Sequence, residues 1–93
     1  MIKKEIVFLD RSTFPKKIVF PKIIFPHNWI NFDYTEISEI NKRIREANII
    51  ITNKVNLNNF NLASAKHLEL IAITATGTNI IDLDYCKKNS IAV

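Results

Sequence analysis

The residue with the clearest chemical potential is Gly77, the single glycine among 93 residues. It follows the apolar run Leu68-Glu-Leu-Ile-Ala-Ile-Thr-Ala75 and stands between Thr76 and Thr78. Glycine at a strand end permits positive φ and lets a ligand or a second backbone approach closely. Successive N–H groups exposed in such a turn form a concavity suited to a carboxylate or phosphate. A tight turn that merely needs a glycine accounts for the same residue. Two more polar positions close apolar runs: Asp10 after Ile6-Val-Phe-Leu9, and Asn53-Lys54 after Ile49-Ile-Ile-Thr52.

Other chemistries are poorly supplied. One cysteine, Cys86, and two histidines, His27 and His67, make neither an internal disulfide nor a Cys/His metal cluster. A lone thiol suits a reducing, cytoplasmic setting. His27 sits in a proline-rich stretch and His67 precedes a strand, positions that read as structural or surface. There is no GxGxxG and no Walker pattern, so the chain carries no dinucleotide or triphosphate loop of its own. No apolar run approaches the roughly 18 residues of a membrane span. The opening Met-Ile-Lys-Lys-Glu leaves too short an apolar run before Asp10 for a signal-peptide core.

Thirteen Lys plus Arg against nine Asp plus Glu give a net charge of +4. Ten of those cations are Lys, and the chain also holds 17 Ile and 11 Asn. All three types share A/T-rich codons, so biased coding explains the excess without a polyanionic partner. The pairs Lys3-Lys4, Lys16-Lys17 and Lys87-Lys88 are dispersed, whereas nucleic-acid binders gather charge in a stripe. A solvated surface is expected, with neither nucleic acid nor membrane as partner.

These residues need elements to position them. At 47% hydrophobic and 24% charged, the chain is one small folded domain. Strands are expected over 6–9, 29–34, 48–53 and 68–75, and a fifth begins at 91–93. Residues 11 to 28 carry Pro15, Pro21 and Pro26, which keep that stretch extended rather than helical. Thr35 is expected to cap a helix with Ile37, Ile40, Ile44 and Ala47 on its inner face and Glu39 facing Arg43. A short helix follows over 58–65, and Asp82 caps another with Leu83 and Cys86 inward. Strand alternating with helix implies right-handed parallel crossovers. The expected architecture is a truncated single α/β domain, a flavodoxin-like doubly wound parallel sheet in the order 2-1-3-4-5. Ligands of such sheets sit beyond the carboxyl ends of the strands, which points at Asp10, Asn53-Lys54 and residues 74–79.

Four segments carry a resemblance. Val7-Phe8-Leu9-Asp10-Arg11, Phe25-Pro26-His27-Asn28-Trp29, Ile51-Thr52-Asn53-Lys54-Val55 and Ala75-Thr76-Gly77-Thr78-Asn79 with Asp82 stand in the right order and spacing. Together they resemble the D-isomer-specific 2-hydroxyacid dehydrogenases, in particular the glycerate dehydrogenase/hydroxypyruvate reductase branch. The resemblance runs from about residue 6 to residue 93. It implies that the whole chain is the amino-terminal part of a substrate domain, without the inserted Rossmann domain that binds NAD.

The resemblance also implies roles. Backbone N–H groups of Thr76, Gly77 and Thr78 hold the substrate carboxylate, and Thr76 borders the cofactor. Asn53 and Lys54 line the same cleft. Ile80 departs from the family, which often has Asn or His there. The family's catalytic Arg, Glu and His have no counterparts here, so the chain alone is expected to be inactive. Its substrate in a complete enzyme would be a small 2-hydroxy or 2-oxo acid of the hydroxypyruvate/glycerate type. Self-association is expected, because helical cover supplied by the family's carboxyl terminus is lacking. The competing reading is a stand-alone receiver-like signalling or interaction module, which shares the strand order. Against it, Asn53 occupies the position where a phospho-accepting Asp is required.

Overall fold

The computed structural model describes residues 3–13, 23–73 and 80–93. Its central strand, β1 (Lys4–Phe8), grows from the run Ile6-Val7-Phe8-Leu9, whose four side chains are at most 3% exposed. Side chains on a strand alternate between faces, so burial of all four requires cover on both sides. β2 (His27–Asn31) and β3 (Ile49–Thr52) flank β1, with Ile6 opposite Trp29 on one side and Ile49 on the other. β4 (Leu70–Ile73) pairs with β3, Ile50 opposite Ile71. The order is β2-β1-β3-β4 and every pair is parallel. Beyond β4, Ala92 bridges Leu70 in the same sense, and the Ile71 N–H donates to the Ala92 carbonyl at 2.8 Å. The parallel α/β sheet is as expected, in the order 2-1-3-4, with the expected fifth strand reduced to this single bridge.

Among the described residues, three short α-helices follow the strands: α1 (Ile40–Ile44), α2 (Asn59–Leu62) and α3 (Leu83–Lys88). Val7, Leu9, Ile50 and Ile71 from the sheet pack with Ile40, Ile44, Leu62 and Cys86 from the helices in one core. Each fully buried Leu or Ile contributes about 1.5–3 kcal/mol. Among the described residues no helix is long and apolar enough to cross a membrane.

Several details differ from expectation. Thr35 does not cap a helix; its hydroxyl donates to the Leu9 carbonyl at 2.7 Å and ties the β2–α1 link to the end of β1. A 3₁₀ turn, Ile37–Glu39, precedes α1, and the Glu36 N–H is met by Glu39 Oε1 at 3.3 Å. Ile37 is 86% exposed, so Ile40, Ile44 and Ala47 alone of that stripe face the core. The ladder with β1 begins at His27 opposite Lys4, which shifts β2 toward the amino terminus. Cover on both faces is complete at β1. At β3, Ile50 and Thr52 are buried while Ile49 and Ile51 are half-buried. Asp82 does cap α3, accepting from the Tyr85 N–H at 3.0 Å, but Leu83 turns outward and Cys86 inward.

Candidate functional site

Beyond the carboxyl ends of β1 and β3 lies an open cavity of about 410 Å³. Asp10, Thr13, Tyr34, Lys54, Val55 and Asn58 are among its lining residues. The β1 ladder ends at Phe8, and Asp10 follows it by two residues with its side chain buried, 3% exposed. A buried carboxylate is costly unless its oxygens are met by donors. Here the Asn53 N–H donates to both oxygens, at 2.9 and 3.2 Å, and the Lys54 N–H donates to Oδ2 at 2.6 Å. Charge-assisted bonds of this kind are among the stronger ones in proteins.

The same turn is held a second time through Thr13. The Thr13 N–H and hydroxyl both donate to the Asp10 carbonyl, at 3.0 and 2.7 Å. Asn53 Nδ2 in turn donates to Thr13 Oγ1 at 3.0 Å. The opposite wall is the link between β2 and α1, braced by Arg43. Its guanidinium donates to the Tyr34 carbonyl at 2.8 Å and to Thr35 Oγ1 at 3.0 Å. It pairs with Glu39 at 3.0 Å and lies 4.0 Å over the Phe32 ring. Such a cation–ring contact adds about 0.5–1 kcal/mol where it is partly exposed.

Of the residues singled out in the sequence, Asp10 and Lys54 meet at this cavity. Asn53 stands beside them, its N–H and side-chain amide committed to Asp10 and Thr13. Lys54 is exposed, and among the described residues its ammonium has no ion-pair or hydrogen-bond partner. Thr76, Gly77 and Thr78 lie outside the described residues. The described residues on either side include Ile73, which ends β4 opposite Thr52, and Ile81, which bridges Leu57. Both flanks therefore rest against the chain leaving β3. Ile80, the departure from the family, packs on the core, and its carbonyl accepts from the Leu57 N–H at 2.8 Å.

His27 and His67 are remote from the cavity. His27 opens β2 with Nδ1 2.9 Å from the Phe25 carbonyl, and His67 lies before β4, so both occupy the amino-terminal edge of the sheet. Thr35 and Arg43 figure in the sequence only as a helix cap and an ion-pair partner, and Tyr34 only within a strand, none of them as part of a site. Their signal is weak there, because only the folded β2–α1 link carries them to the end of β1.

A parallel sheet with its polar residues gathered beyond the strand ends belongs to the doubly wound α/β class. Comparison narrows the class to a family. Residues 22–93 match the family described as D-isomer specific 2-hydroxyacid dehydrogenase, catalytic domain, and the chain belongs to it. It is 42% identical over 89 residues to a protein of Haemophilus influenzae named as a 2-hydroxyacid dehydrogenase, covering 96% of this chain and 28% of that protein. It is 34% identical over 91 residues to a glycerate dehydrogenase of Methylorubrum extorquens, covering 97% and 28%. In fold it resembles the crystal structure of an NAD⁺-bound 3-phosphoglycerate dehydrogenase of Entamoeba histolytica. That match has a TM-score of 0.77 at 14% identity and covers 97% of this chain and 32% of the other. The chain thus spans under a third of the length of each of these proteins.

Proposed function

We propose that this chain supplies the carboxylate-binding edge of the substrate domain in an NAD-dependent oxidoreductase acting on the CH–OH group of small D-2-hydroxyacids, of the glycerate/hydroxypyruvate type. The family match, running through the Thr76-Gly77-Thr78 segment, is the observation that carries the reading. Successive N–H groups at 76–78 would hold the substrate carboxylate, with the Thr76 side toward the nicotinamide. Lys54, exposed at the end of the neighbouring strand, adds positive charge on the same side of the sheet. Asn53 lines that edge and braces it through Thr13. Bound NAD would supply the hydride acceptor.

Reduction of a 2-oxo acid also needs an acid near the carbonyl. His27 and His67 stand at the wrong edge of the sheet for that role, and a single glycine cannot make a dinucleotide loop. The chain by itself is therefore expected to leave NADH unoxidised with hydroxypyruvate or glyoxylate. The positive test is a chimera in which this chain replaces the matching segment of the Haemophilus influenzae relative. NADH-dependent reduction of a 2-oxo acid by the chimera, abolished by Gly77→Val, supports the proposal. A folded chimera that binds NADH but reduces no 2-oxo acid contradicts it.

A further inference from the structure

The strand-end turn at Asn53-Lys54 is unusual in where its donors point. Both main-chain N–H groups are directed inward to one buried carboxylate, that of Asp10. An N–H group that already donates at 2.6–2.9 Å to an anion has no capacity left for a second one. The Asn53 side chain is also engaged, through Nδ2, with Thr13. What the turn still offers outward is the Lys54 ammonium, which lines the cavity without a partner among the described residues.

We propose that Asp10 is a positioning residue for the substrate cleft: by drawing the Asn53 and Lys54 N–H groups inward, it makes the Lys54 ammonium the anion contact of this edge. The assignment rests on the substrate-domain reading given above for its ligand class. It goes beyond that reading in dividing the labour between two strand ends. Main-chain donors would serve at 76–78, while a side-chain cation serves at 54. An amide concavity fixes an anion at short range and in one orientation. A lysine on a flexible stem acts as a point charge and accepts ligands of different length.

The geometry explains why an aspartate suits position 10. Both oxygens are used, since the shorter Asn53 contact is to Oδ1 at 2.9 Å and the Lys54 contact is to Oδ2 at 2.6 Å. Asparagine keeps the shape but offers one acceptor oxygen and turns an NH₂ toward these donors. The main-chain contacts of Thr13 with Asp10 do not depend on the carboxylate and would hold the backbone of residue 10 in place.

The experiment is amide NMR on the full 93-residue chain and on Asp10→Asn and Lys54→Ala, with sodium glycolate as the probe. In the wild type, through-hydrogen-bond coupling from the Lys54 nitrogen to the Asp10 carboxyl carbon is expected. Glycolate should shift the Lys54 side-chain signals and leave the Asn53 and Lys54 amides still. In Asp10→Asn the exchange of those two amides should accelerate about tenfold or more, with the Ile71 amide unchanged, and the freed amides should join the glycolate response. Lys54→Ala should abolish the response at this edge without changing amide exchange. A wild-type response at the Asn53 and Lys54 amides overturns the proposal, as does unaltered exchange in Asp10→Asn. Should Asp10→Asn fail to fold, the wild-type coupling and the Lys54→Ala titration decide alone. Silence at residues 76–78 would remove the substrate-domain reading, whereas the exchange and coupling results bear on Asp10 regardless.

Discussion

Asp10 and Cys86 show how the same degree of burial leads to different chemistry. Asp10 is buried with both carboxylate oxygens met by main-chain N–H donors. Cys86, 1% exposed on the inner face of α3, has no such help. Burial, and to a lesser degree the nearby Asp82 carboxylate, push its thiol up from the ordinary value. In the unfolded chain the thiol ionises above about pH 8.5, while in the folded chain it stays protonated. The unfolded state then binds fewer protons than the native state, so stability falls as pH rises through that window. Below it the contribution is complete. Denaturation midpoints should therefore drop as pH rises past the unfolded thiol's value of about 8.5, and Cys86→Ala should lessen the drop. Alkylation of Cys86 should be slow in the native protein and become fast on unfolding. Equal alkylation rates in both states would contradict this account.

At the scale of elements, β1, β3 and β4 were legible because their apolar runs are nearly continuous, whereas β2, with His27, Asn28 and Asn31 among its five residues, was placed late. The helices were less so. Each is only four to six residues long, too short for a full periodic stripe. Thr35 has the residue type of a cap, yet its hydroxyl goes to the Leu9 carbonyl, a partner 26 positions away that local pattern cannot supply. Asn58 and Asp82 do cap their helices, where the donors, Asn61 and Tyr85, are local. The site divides the same way. Asp10 and Lys54 could be found by the strand-end rule, but the Arg43 brace arises from tertiary placement.

The end of α3 holds a local test. Ser90 has φ 59°, the left-handed region where glycine is favoured, and the Ile91 N–H closes back to the Cys86 carbonyl at 2.9 Å. This is a helix-terminating loop of the kind that normally carries glycine. The chain uses serine in its place, at a cost of about 1 kcal/mol or more. Ser90→Gly relieves that cost while adding freedom to the unfolded chain. A net gain of about 0.5–1 kcal/mol is expected, visible as a rise of a few degrees in Tm. An unchanged or lower Tm would show that the turn is not strained.

For the whole molecule, the described surface carries several exposed large apolar side chains. Ile24 is 97% exposed, Ile37 86% and Phe60 73%, and Leu83 and Val93 are both nearly half exposed. If these side chains form contiguous patches, self-association is expected. Sedimentation should show a weight-average mass that rises with concentration, and Ile37→Ser with Phe60→Ser should reduce it. A single monomeric species at high concentration would count against this.

Under the proposed function, the N–H groups of Thr76, Gly77 and Thr78, together with the Lys54 ammonium, would hold anions of the 2-hydroxyacid class. A titration of the amide-labelled chain with hydroxypyruvate tests it most directly. The account predicts saturating, weak shifts at the three amides of residues 76–78 and at the Lys54 side chain, lost in Gly77→Val provided its sheet amides stay in place. Shifts confined to other residues, such as the lysines at the carboxyl end of α3, with silence at 76–78, would contradict it.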